Sequence, residues 1–75
     1  MPKLPIASGT DVIRALERSG FAVLRQRGSH VSLGKRDPTV VVTVPLHDEI
    51  ARGTLRAIIR QSGLSVDEFV ALLGR

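Results

Sequence analysis

Gly28, Ser29 and His30 stand together, with Arg25 and Arg27 just before them and Lys35 and Arg36 just after. An imidazole can take or give a proton near neutral pH, so His30 is the best single candidate for general acid–base chemistry. Gly28 lets the backbone bend before it and lets a substrate backbone come close. Arg25, Arg27, Lys35 and Arg36 could hold a phosphate and offset charge growing on it. Ser29 could orient that phosphate or the imidazole, or simply shape the turn. A plainer reading of the same residues is a polar histidine at a strand start, bracketed by solubilising arginines. On the pattern alone the plainer reading prevails.

The rest of the inventory is thin. His47, Asp48 and Glu49 cluster possible ligands, but adjacent side chains in a loop rarely converge on one ion, so no metal site and no cofactor is expected. Arg56 and Arg60 are spaced i, i+4 and share a helix face, where they could meet phosphates or an acidic partner, although a plain solvated face accounts for the pair better on its own. Arg14 and Arg18 repeat that spacing. There is no G-x-S-x-G, P-loop or G-x-G-x-x-G pattern. Two phenylalanines, no tyrosine and no tryptophan argue against a surface that stacks bases. Nucleic acid would be held through phosphate and 2′-OH contacts instead.

The elements that must position these residues follow from local pattern. Met1 to Ala7 carry two prolines and no period and read as a flexible lead-in, leaving 8–75 as a single domain. Ser8 and Asp11 match a capping box, and Val12, Ile13, Ala15 and Leu16 recur at helical spacing, so a helix is expected over about 9–19. Gly20 can stop it. Strands are expected over 21–27, 30–33 and 39–44, joined by turns at Gly28-Ser29 and over 34–38, with Pro45 ending the third. Short connections make this an antiparallel meander. Within the first strand, Phe21/Val23 and Ala22/Leu24 compete for the core, so which arginines flank His30 stays open. Leu46 to Gly53 reads as a loop. Thr54 is the expected cap of a second helix that Gly63 stops, and Ser65 with Glu68 caps a third. Helices on one face of a three-stranded sheet give an α+β two-layer domain.

Bulk properties set the outer limits. The 75 residues hold one domain with 43% hydrophobic content and no cysteine, so aliphatic packing must do all the work. A chain this small gains from a stable partner. The net charge of +4 favours RNA, DNA or an acidic protein as partner, though solubility alone explains it equally well. No apolar run is long enough to span a membrane and the N-terminus lacks an apolar h-region, so a cytoplasmic protein is expected.

Taken in order, "VIRALERSGF" (12–21), "RQRGSH" (25–30), "VTVPLH" (42–47) and "GTLRAIIRQSGLS" (53–65) resemble the HicA toxin family, small mRNA-cleaving proteins of toxin–antitoxin pairs. The resemblance starts near Gly9 and covers nearly all the rest. It implies a double-stranded-RNA-binding-domain-like α-β-β-β-α fold, to which this chain adds a short C-terminal helix. It implies metal-independent RNA cleavage with the histidine of G-S-H, here His30, as the catalytic residue. It also implies a HicB-like antitoxin that covers the active surface. His47 could serve as the acid for the leaving oxygen or simply anchor its loop. The competing function is an RNA-binding module of the same fold that does no chemistry.

Overall fold

The computed structural model describes residues 3–74 and has the order α1 (Gly9–Arg18), β1 (Ala22–Arg27), β2 (His30–Lys35), β3 (Val40–Pro45), α2 (Arg52–Ser62), α3 (Val66–Leu73). This is the expected α+β arrangement, α-β-β-β-α with an added helix. The sheet is an antiparallel meander, β1-β2-β3. Alternation sends Val31, Leu33, Val42 and Val44 to one face, where they are buried with Val12, Ala15 and Leu16 of α1 and Leu55, Ile58 and Ile59 of α2. α1 packs against α3, β3 and β1, and α2 against β3. The helices therefore form one layer and leave the other sheet face open.

Both expected capping boxes are present. Ser8 Oγ accepts from the Asp11 N–H and Asp11 Oδ2 accepts from the Ser8 N–H, each at 3.1 Å. At α3, Ser65 Oγ accepts from the Glu68 N–H at 3.0 Å and Glu68 Oε1 accepts from the Ser65 N–H at 2.8 Å. The backbone and side-chain hydrogen bonds to Ser65, with Lys35 nearby, hold the Glu68 carboxyl below its usual pKa against a smaller opposing effect of burial. A carboxylate depressed in the folded state adds stability above its unfolded pKa and loses it as pH falls through the folded value. Thermal melts should therefore drop on acidification through that range, and Glu68→Gln should flatten that part of the Tm–pH profile.

Several boundaries differ from expectation, each for a physical reason. Gly34 and Lys35, read as turn residues, pair with Val41 and Val40 and lengthen β2; the turn lies over 36–39. The cap of α2 is Ala51 rather than Thr54, and no side chain caps it. Its start is set instead by Ile50 and Leu55, which flank the first turn and are both buried in the core, as a hydrophobic staple requires. The segment ahead of α1 has no regular structure, yet Leu4 and Ala7 are buried and the Ile50 N–H donates to the Ala7 carbonyl at 2.9 Å. Residues 3–7 thus pack on the domain; Met1 and Pro2 of the expected lead-in, and the terminal Arg75, lie outside the described residues. The Arg18 guanidinium donates to the Leu72 carbonyl at 2.6 Å, tying the ends of α1 and α3 together.

Candidate active site

The β1–β2 connection is a two-residue turn. Gly28 has φ of 54°, and among the described non-glycine residues only Asp37 has a positive φ, so Ser29 does not. Glycine first and an ordinary residue second suits a tight hairpin whose twist matches its strands. The Gln26 side chain steadies it, donating to the Gly28 carbonyl at 3.0 Å. A Cβ on Gly28 would meet nothing within 4 Å, so only the backbone conformation resists substitution. Gly28→Ala should cost about 1–2 kcal/mol in urea unfolding, the usual penalty for a left-handed non-glycine residue.

The hairpin fixes where His30 points, and a β-bulge fixes what stands beside it. At the Ala22 end, Val23 faces Leu33; beyond the irregularity between Val23 and Arg25, Arg25 faces Ser32 and Arg27 faces His30. Leu24 is the extra residue. A bulge of this kind reverses the inside–outside alternation along its strand. It carries Arg25 and Arg27 to the open face, the one His30 occupies. On the other side His30 pairs with Pro45 of β3. His30, Arg25 and Arg27 are all exposed.

The next row on this face is Arg25, Ser32 and Thr43, with the two hydroxyls 3.5 Å apart. Ser32 and Thr43 were missed in the sequence, although the i, i+2 alternation from His30 points to Ser32. The β3–α2 loop closes the same end. The Leu46 N–H donates to the Ser29 carbonyl at 2.6 Å, and the Gly9 N–H donates to the His47 carbonyl at 2.9 Å. Gly9 is required there, since a Cβ would stand 2.9 Å from Leu46 Cα and run into the Pro45 backbone. His47 is exposed two residues past Pro45, the strand partner of His30, so both histidines sit at one end of the sheet.

Other candidates are placed elsewhere. Lys35 does not adjoin His30. It ends β2 five residues on, about 16 Å away at strand rise, and its register turns it to the helix side, where Nζ lies 5.3 Å from the centre of the Phe21 ring. Arg36 is exposed in the turn beyond Lys35, at the same far end. Arg56 and Arg60 belong to the helical layer, not the open sheet face. Because α2 starts early, Arg52 joins them at i−4, and all three are exposed. Among the described residues no group of three His, Asp or Glu side chains could hold a metal ion, and no helix is long and apolar enough to cross a membrane.

No curated protein matches the chain. A family model described as the HicA toxin of bacterial toxin–antitoxin systems matches residues 9–64, from the first residue of α1 to just past α2. That span holds the hairpin, the bulge, the open sheet face and both histidines, and leaves outside it α3 and the described residues before Gly9. With most of its length matched in this order, the chain belongs to the HicA toxin family.

Proposed function

We propose that this toxin is a ribonuclease that cleaves mRNA in the cytoplasm by metal-independent histidine catalysis, restrained by a HicB-like antitoxin. The observation that carries the reading is the open-face cluster: an exposed imidazole at a tight turn, flanked on β1 by Arg27 and then Arg25. His30 takes the proton of a ribose 2′-OH. The 2′-oxygen attacks the adjacent phosphorus, and the bond to the 5′-oxygen breaks as that oxygen gains a proton. Arg25 and Arg27 offset the charge that builds on the phosphorane oxygens. Ser29 and Gly28 shape the approach of the backbone. His47, at the same end of the sheet, is the candidate acid for the leaving oxygen. The products are a 2′,3′-cyclic phosphate and a 5′-hydroxyl.

The row Arg52, Arg56 and Arg60 favours a second reading, an RNA-binding module that does no chemistry, since such a row can hold phosphates by charge alone. Incubating purified protein with end-labelled RNA and DNA in EDTA separates the two. The ribonuclease reading expects cut RNA bearing the cyclic end and intact DNA. Cleavage that stops in EDTA, or DNA cut as fast as RNA, would rule out 2′-OH chemistry by His30. Bound but uncut RNA would leave the binding module.

A further inference from the structure

At the far end of the open face from His30 the sheet is apolar. Leu24 and Val41 are 59% and 55% exposed, and with Ala22, Gly34 and Thr39 they line a shallow groove. Leu24, the residue at the bulge, lies on this face by simple alternation from Val23, and Gly34 lets it lie flat. A Cβ on Gly34 would stand only 2.8 Å from Leu24 Cδ1. Two aliphatic side chains are thus held in water by the backbone itself, in a domain with little apolar area to spare. The apolar area is small, the size of one partner side chain rather than of a whole interface. Arg36 stands exposed on the rim.

Chemistry narrows the occupant. A nucleobase wants a flat aromatic partner, but Phe21 and Phe69 are buried and the chain has no tyrosine or tryptophan. A second copy would bring the Arg36 rim of a chain with net charge +4 against its own like charges. A polypeptide carrying an apolar side chain beside carboxylates suits both the groove and its rim.

We infer that this groove is the anchor for the antitoxin, seating one of its apolar side chains between Leu24 and Val41 with a carboxylate on Arg36. The inference rests on the reading that an antitoxin restrains this toxin. Gly34 and His30 lie four residues apart on β2, about 13 Å along one face. The family resemblance already implies that the antitoxin covers the active face; what is added is the anchor, which would let a partner element running along β2 reach His30 and Arg27 from a site that takes no part in the chemistry.

Leu24→Asp and Val41→Glu test this in the full chain, with circular dichroism confirming that each folds. Binding of the purified cognate antitoxin is measured with each change placed on a His30→Ala background, so that this arm does not depend on cleavage. Each change should weaken the antitoxin about 30-fold or more, as loss of a central anchor does, while RNA cleavage with His30 intact keeps the wild-type rate. Unchanged antitoxin affinity would overturn the inference. So would a loss of RNA affinity with antitoxin binding intact, which makes the groove a base subsite, or a wild-type dimer that the changes dissociate. If the wild type fails to cut RNA at all, the ribonuclease reading fails alone, and the antitoxin arm still decides the groove.

Discussion

His30→Ala should lower the single-turnover rate of RNA cleavage by about 10²–10⁴-fold, the usual worth of a positioned general base, while RNA affinity stays near the wild-type value. The split follows from position. The side chain is exposed at a strand start and contributes nothing to the core, so its loss leaves fold and phosphate contacts in place. Arg25→Ala and Arg27→Ala should behave differently. Each removes a cation from the face on which the proposed mechanism lays the phosphate, so RNA affinity should fall and the slope of log K against log salt should drop by about one per arginine. Fluorescence anisotropy over a salt series, paired with single-turnover kinetics, separates these effects. An equal fall in binding for His30→Ala would make His30 a contact residue rather than a reacting group.

Phe69→Ala should cost about 3–5 kcal/mol, the usual range for emptying a fully buried aromatic site. Phe69 is the only residue of α3 that is completely buried, at 0% exposure. Around it Val66, Leu72 and Leu73 are partly buried against the same core. A 75-residue domain has about 4–11 kcal/mol of total stability, so this one truncation should leave much of the protein unfolded at 37 °C. The consequence reaches function because α3 lies outside the family match at 9–64. In this chain it is nevertheless part of the core, held by Phe69, the Ser65–Glu68 capping box and the Arg18 bond to Leu72. Urea unfolding followed by circular dichroism measures the cost. A loss below about 1 kcal/mol, typical of surface truncation, would show that α3 is an appendage.

What could be read in the sequence was whatever short-range chemistry decides. The two capping boxes need only residues three apart, and both form. The Gly28-Ser29 turn and the alternation of Val40, Val42 and Val44 are equally local, and the three-stranded meander follows from them. What could not be read depended on cross-strand register or tertiary burial. The bulge at Leu24 settles which β1 residues share a face with His30, and nothing in the run Ala22 to Arg27 announces it. Without the bulge, Arg25 would face Val31 on the core side. Lys35 looks like a turn cation near His30 in one dimension. Extension of β2 by two residues carries it to the far end and the other face. Thr54 has the right chemistry for a cap, but burial of Ile50 and Leu55 starts α2 earlier and brings Arg52 into the arginine row.

The most direct test of the central claim is a side-by-side assay. Wild type and His30→Ala, both shown to be folded, are each mixed in excess with one single-stranded RNA in EDTA, and the cut ends are followed in time. The account predicts steady appearance of 2′,3′-cyclic phosphate ends with the wild type and almost none with the variant. Equal rates from the two proteins would contradict it, because cleavage would then not depend on the imidazole at the hairpin.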